Sequence, residues 1–356
     1  MTSTSPANTT QVDASSDAWK GRTQLMWSVW APLILLCGVF GNSSVVYLLY
    51  PIRKRCKVYP FLMALAVSDT LILLFVVGPT WFAWQWQVWP GKKSIAICRF
   101  ILWFGHSLTF TSTAFVVAVT VYRAVALIRP HAIHKLCRRR TVRVILGVLC
   151  MMSFGVGASV VWLTEYSDSC KRLKRQQTTV AIVTFLLYAI LPVVCIIISN
   201  VLLVSALLKS VSTSVSENSL RQQHVSYKVT PMIVTVSVTY VVLTFPIAVL
   251  QILMVRNPPW SRTSAYSFGL EFCLLLWYTH SSVGFYIYIC TGPEFRRQAM
   301  KRLVRRSEVS TSTRPVIVVK PTITLPIPST TRAVLTQCSR QAVGVPMKPT
   351  NPGHRR

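Results

Sequence analysis

The chain has 356 residues, 38 of them Lys or Arg against nine Asp or Glu, giving a formal charge of +29. Only 13% of the residues are charged and 52% are hydrophobic, whereas a soluble domain usually carries about 25% charged residues. Such a surplus of cations suggests nucleic-acid binding in a soluble protein, but here the basic residues fall between apolar stretches rather than on one domain, a pattern of membrane topology.

Residues 1–24 are polar and lack the apolar core of a cleavable signal peptide, so the first span is expected to direct its own insertion. This outer segment (residues 1–26) reads as a disordered tail, with a glycosylation sequon at Asn8-Thr9-Thr10. Seven apolar spans follow: Trp27–Tyr50, Tyr59–Trp86, Ile95–Leu127, Val144–Leu163, Thr178–Leu208, Val229–Val255 and Ala265–Cys290. Most exceed the roughly 20 residues that cross a hydrocarbon core as helix. Strands of a membrane barrel would be about half as long and alternating. With an odd number of spans, the first, second and third connections on one side share it with the C-terminal tail. That side holds 27 of the 38 basic residues, which predicts an extracellular N-terminus and a cytoplasmic C-terminus. A second sequon at Asn42-Ser43-Ser44 lies inside a span and should be inert. His131 and His134 are spaced like a metal pair but have no third ligand nearby in the sequence.

After the last span, Phe295, Met300, Leu303 and Val304 alternate with Arg296, Arg297, Lys301, Arg302, Arg305 and Arg306. This segment, residues 291–306, reads as a basic amphipathic helix lying on the anionic inner leaflet. Residues 307–356 are rich in Ser, Thr and Pro and are expected to be disordered. Ser307, Ser310, Thr311, Ser312 and Thr313 are candidate phosphorylation sites that would create an acidic patch for an arrestin-type partner.

Within the third span, Arg123 follows Cys98 by 25 positions and Pro130 follows Arg123 by seven. This spacing resembles the third helix of rhodopsin-like G-protein-coupled receptors. The resemblance extends from about Trp27 to Leu303. The first span carries Gly41-Asn42, and the second reads L-A-V-S-D, with Asp69 at the family's sodium-binding and activation position. Pro192 and Pro246 match the bending prolines of the fifth and sixth spans. The seventh ends G-F-Y-I-Y, placing Tyr288 at the tyrosine of N-P-x-x-Y, and T-G-P-E-F-R-R-Q follows as the start of a short eighth helix. The implied fold is an all-α membrane protein: a seven-transmembrane helix bundle over residues 27–290, with a short amphipathic eighth helix and disordered tails. Of ten cysteines, only Cys98 and Cys170 face the oxidising side in this topology, so a disulfide between them is expected.

The departures from the family pattern are equally specific. Where the family has D-R-Y, this chain has Tyr122-Arg123-Ala124. Thr244 replaces the tryptophan of C-W-x-P, Gly284-Phe285 replaces N-P, and the fourth span has Cys150 or Met151 where a tryptophan is expected. An L-T-F-P sixth span with G-P-E-F-R after the seventh looks most like invertebrate neuropeptide receptors of the FMRFamide type. The missing acid beside Arg123 implies a weaker restraint on that arginine, since Tyr122 offers only a neutral hydrogen bond or a ring face.

Asp69 is the one acid expected at mid-membrane depth, where an ionised side chain costs about 2.5–3.5 kcal/mol on insertion scales. The resemblance implies an inner polar cavity shared with Asn42, Ser112, His280 and Ser281, beside Thr244 and Pro246. Sodium is an option at Asp69, although Gly284 and Leu108 remove oxygen ligands that the family often supplies. Family position and depth nominate Arg99, Trp103, His106, Phe110, Glu271, Trp277 and Tyr278 as ligand-binding residues. Gly105 stands where amine receptors carry an aspartate, which argues against a monoamine, and Tyr278 stands where opsins carry the retinal lysine. Lys171, Arg172, Lys174 and Arg175 suit an acidic ligand, or equally a solvated loop beside lipid headgroups. Trp84, Trp86 and Trp89 read better as an interfacial belt than as a binding box.

The function implied is that of a non-enzymatic receptor passing the binding of an extracellular ligand, a peptide or another molecule, to a heterotrimeric G protein at the plasma membrane. Arrestin and the lipid bilayer are the further partners implied, and nucleic acid is not among them. Tyr122, Arg123, Pro130, Asn200 and Tyr288 are nominated for G-protein coupling. Two alternatives stay open: a receptor-like decoy or chaperone without signalling, and a transporter, which would need inverted repeats that the chain does not display.

Overall fold

The computed structural model of the chain describes residues 6–54, 58–128, 139–162, 186–212, 217–256, 263–293 and 295–302, with Cys170, Ile182 and Pro259 as single positions. These residues form helices and turns, with no strand among them. α1 is Pro6–Leu49 and α2 is the continuous helix Tyr59–Trp86. α3 is Ile95–Ile128, α4 Arg139–Trp162, α5 Leu191–Ser212, α6 Glu217–Arg256 and α7 Ser264–Thr291. All but α5 contain a stretch long and apolar enough to cross a membrane; α5 contributes the apolar helix Leu191–Ala206.

Proline chemistry shapes two of the helices. Pro79 has no N–H for the carbonyl one turn behind it, and α2 widens into a π turn at Leu73–Val77 just before it. Gly78 N–H closes that turn on Leu73 O. A second π turn, Leu186–Ile190, precedes Pro192 at the start of α5. α2 ends where Gln87 enters the left-handed region at φ 56°, its side-chain amide donating to Trp84 O at 2.8 Å. α7 begins at Thr263, whose hydroxyl accepts the Tyr266 N–H.

α3 packs against α2, α4, α5 and α6; α1 packs along α7 and α2, and α6 along α7. The α1–α7 seam depends on small residues. A Cβ at Gly38 would overlap the Leu73 side chain and sit 2.9 Å from Ser282 Cβ, and one at Gly41 would sit 2.9 Å from Phe285 Cβ. Apolar clusters fill both halves of the bundle. One gathers Trp27, Ile72, Leu73 and Leu275, and another gathers Phe61, Tyr122, Ile233, Tyr288 and Phe295. The disulfide between Cys98 and Cys170 closes a 72-residue separation at the end of the bundle away from Arg123.

Two expected irregular segments are helical. The N-terminal tail joins α1 from Pro6, so Asn8 lies in helix rather than in a disordered segment. No Gly or Pro interrupts residues 7–20, and the extension is held by Trp19, whose ring meets Phe268 of α7 at 5.3 Å. α6 starts at Glu217, twelve residues before the predicted span, so much of the third connection is helix. Polar residues outside the hydrocarbon core do not oppose helix, which is why hydropathy alone places the boundary too late.

Gly292 ends α7, and residues 295–302 form a short helix that docks back onto the bundle. Phe295 is buried against Phe285 and Tyr288. Arg296 donates to the last carbonyls of α7, Ile289 O at 3.1 Å and Cys290 O at 2.7 Å. Arg302 lies over the Tyr47 ring of α1. Met300 stays exposed, as an apolar residue facing a lipid surface would. Pro130, His131, His134, the basic cluster 171–175 and residues 303–356 lie outside the described residues.

Gly38→Ala is expected to lower the thermal midpoint of the purified protein, because overpacking a helix seam costs about 1–3 kcal/mol. Gly155→Ala meets nothing within 4 Å and should be neutral or stabilising, by at most about 1 kcal/mol. Equal midpoints for the two variants would contradict the close α1–α7 approach.

Candidate functional site

At the centre of the bundle, Asp69 of α2 is 4% exposed and accepts a hydrogen bond from Ser112 Oγ of α3 at 2.6 Å. Ser281 and Tyr288 of α7 are near enough to act on the same carboxyl group. Asn42 of α1 donates to Ser281 O at 2.8 Å, fixing the backbone where α7 passes Asp69. The expected group of Asn42, Asp69, Ser112 and Ser281 is thus brought together from four helices. An oxygen-seeking cation here would meet Asp69, Ser112 and Ser281, while Leu108 packs in an apolar cluster and Gly284 has no side chain. Asp69 would supply the charge, and the two hydroxyls the remaining side-chain oxygens, for a sodium ion held at this place.

His280 faces a different partner. Its ring meets Tyr240 of α6 edge-on at 5.1 Å, and Tyr240 OH lies 3.2 Å from Thr113 Oγ1 of α3. Thr244, in place of a tryptophan, turns its hydroxyl back to Tyr240 O at 2.6 Å. Tyr240 is 1% exposed and links α3, α6 and α7, a role the sequence reading did not assign. Its one signal was a phenol in the apolar run before Pro246, where its hydroxyl would need a buried partner.

Arg123, near the end of α3 opposite the disulfide, is 5% exposed. Beside it, Tyr122 packs on Phe61 with ring centroids 5.3 Å apart, inside the apolar cluster that also holds Tyr288. Asn200 of α5 donates to Ser237 Oγ of α6 at 2.8 Å, and Ser237 Oγ in turn lies 3.2 Å from Asn200 Oδ1. This paired contact ties two helices that otherwise touch sparsely among the described residues.

The nominated ligand-binding residues divide. Glu271 accepts the Trp27 indole N–H at 3.1 Å and faces Trp84. Trp84 therefore turns into the bundle instead of joining an interfacial belt, whereas Trp86 stays exposed and stacks on Phe82. Tyr278 lies within reach of the Glu271 charge and stacks on Trp277. Phe110 and Trp277 share an apolar cluster with Val160 and Leu187. Trp103 belongs elsewhere: its indole N–H donates to Phe154 O at 3.1 Å and its ring packs on Phe154 and Trp162, which makes it part of the α3–α4 seam. Arg99 and His106 are half-buried on α3. No group of three or more His, Cys, Asp or Glu able to hold a metal occurs among the described residues.

A helix bundle with a polar centre, a buried arginine at one end and a disulfide at the other is the architecture of a multi-pass membrane receptor. The chain matches the model of the 7 transmembrane receptor (rhodopsin family) over residues 41–288, and it belongs to that family, whose members are receptors and not enzymes. It is 26% identical to the human B1 bradykinin receptor over 317 residues, 82% of this chain and 85% of that receptor. It is 28% identical to the probable G-protein coupled receptor tkr-1 of Caenorhabditis elegans over 40% of this chain, and 32% identical to the human motilin receptor over 33% of it. These two matches span only 36% and 28% of the relatives' own lengths.

Tyr240→Phe and Thr113→Val, alone and combined, should show a coupling of about 0.5–1.5 kcal/mol in thermal unfolding, the net worth of one buried hydrogen bond. Strictly additive effects would mean that the two hydroxyls do not hold α3 to α6.

Proposed function

We propose that this chain is a plasma-membrane receptor, with its N-terminus outside, that couples the binding of an extracellular peptide to a heterotrimeric G protein. The observation that carries this reading is the match over most of the chain to a receptor named for the peptide bradykinin, accompanied by one named for motilin. The disulfide end is then extracellular and the Arg123 end cytoplasmic, in keeping with the distribution of basic residues.

The geometry supports a simple working cycle. At rest, Asn200 and Ser237 hold α5 to α6, and Tyr240 holds α6 to α3. Arg123 is enclosed at the cytoplasmic end. A ligand that binds better to an arrangement with α6 displaced favours that arrangement by its difference in affinity, and by no more. Pro192 and Pro246 break the backbone ladders of α5 and α6, leaving both helices deformable near those ties. Displacement of α6 exposes Arg123 to a G protein, with Tyr288 and the short helix 295–302 forming the neighbouring wall. Arrestin would follow phosphorylation of the C-terminal Ser/Thr cluster.

The test is nucleotide exchange on purified G proteins by receptor in nanodiscs, with and without a synthetic peptide library. Peptide-stimulated exchange should appear and should vanish in Arg123→Ala at equal receptor amounts. Ser237→Ala should raise peptide-free exchange about 2- to 12-fold, the effect of losing roughly 0.5–1.5 kcal/mol of restraint. Exchange unaffected by any peptide and by Arg123→Ala would favour a non-signalling receptor instead.

A further inference from the structure

A groove runs down the flank of the bundle between α3, α4 and α5. Its volume is about 540 Å³, inside the range of roughly 300–1,000 Å³ typical of small-molecule sites. On α3 it extends from Phe110 to Val125, about 22 Å of helix. Ala114, Val117, Ala118 and Val121 keep that wall shallow, and no charged residue is among those that line it. Val121, Met152 and Leu191 are exposed along its mouth, all within apolar membrane helices, so the groove opens to lipid.

One polar group in this apolar channel is unsatisfied. Ser153 of α4 lines the groove and is 6% exposed, and its hydroxyl meets no partner among the described residues. Thr113, also in the lining, already meets Tyr240 OH at 3.2 Å. A buried hydroxyl left unpaired is costly, and a guest that pairs it recovers that cost. Depth narrows the chemistry of the guest. Gly157 of α4 backs onto α3, where a Cβ would overlap Ser107 Oγ. One turn earlier on α4, Ser153 therefore stands close to the level of Ser112, the partner of Asp69. That level is the middle of the bilayer, about 15 Å from either headgroup layer. A charged head is too costly there, a sterol keeps its hydroxyl among the headgroups, and a plain acyl chain brings no oxygen so deep.

We infer that this groove binds a long-chain lipid carrying a hydroxyl near the middle of its chain, with Ser153 as the hydrogen-bond partner of that hydroxyl. The chain lies along Ala114, Ala118 and Val121 and touches Pro192 and Cys195 of α5. At Thr113 it abuts the residue that ties α3 to Tyr240 of α6. Neither the extracellular ligand nor a G protein is needed to form the site.

The test uses the full chain in phosphatidylcholine nanodiscs and 12-hydroxystearic acid carrying a terminal diazirine. Carbon 12 brings the hydroxyl close to the bilayer centre, whereas in 2-hydroxystearic acid it stays at the headgroups. After illumination, saturable cross-links should concentrate on residues 145–156 and 187–195. Unlabelled 12-hydroxystearate should displace the probe at concentrations about 2- to 12-fold lower than stearate or 2-hydroxystearate, the worth of one hydrogen bond. Ser153→Ala should abolish that preference while stearate competes as before, and Ser153→Thr, which keeps a hydroxyl, should retain it. Cross-links spread evenly over the lipid-facing helices overturn the inference. So do equal competition by stearate and 12-hydroxystearate on the wild-type chain, a preference that survives Ser153→Ala, or stronger competition by cholesterol than by 12-hydroxystearate. The wild-type comparison decides the matter even where a variant fails to fold. Because no peptide or G protein is present, failure here leaves the receptor reading standing, and loss of coupling leaves this site standing.

Discussion

A carboxylate midway along a membrane helix is tolerated only where neighbouring helices surround it, and Asp69 imposes that condition on α2. Lipid offers no hydrogen bond, so the groups that satisfy Asp69 must come from within the bundle. Ser112 supplies one from α3, and Asn42 fixes the α7 backbone beside it. One buried acid thus sets the rotation of α2 and, through its partners, of α1, α3 and α7. The close α1–α7 seam at Gly38 and Gly41 follows, since Asn42 reaches Ser281 O only if those two backbones lie near each other.

Around this centre, polar contacts are placed where helices would have to part. α3 and α6 meet through Thr113 and Tyr240, and α5 and α6 through Asn200 and Ser237. Each is a hydrogen bond of modest net worth, about 0.5–1.5 kcal/mol, so their loss lies within reach of the binding energy of an ordinary ligand. Apolar clusters hold α1, α2 and α7 together at the disulfide end, and at the Arg123 end a second cluster joins Ile233 of α6 to Phe61, Tyr122 and Tyr288. Parting α6 from the bundle therefore costs apolar contact as well as these hydrogen bonds.

The order of the seven helices was legible in the sequence because apolar length and positive-inside bias are direct consequences of bilayer thickness and charge. The pairing of Cys98 with Cys170 likewise follows from the topology, and the group around Asp69 from the resemblance to the receptor family, whereas the docking of Phe295 on Phe285 and Tyr288 instead of on the leaflet was not legible. Helix ends were less legible. The extensions at Pro6 and Glu217 lie in polar segments, where hydropathy is silent and only the absence of breakers and the contact of Trp19 with Phe268 favour helix.

What the sequence by itself determined is which residues lie within the membrane and how deep, because both are properties of a single helix in lipid. What only the tertiary structure decided is which way each side chain faces and whom it meets. Trp84 turns to Glu271 rather than to the headgroups, Trp103 seals α3 to α4 rather than lining a pocket, and Tyr240 takes the central place that Thr244 had suggested. The rotation of a helix about its axis is set by contacts with its neighbours, above all by buried polar groups that must find one another, and one span read alone carries no record of those partners.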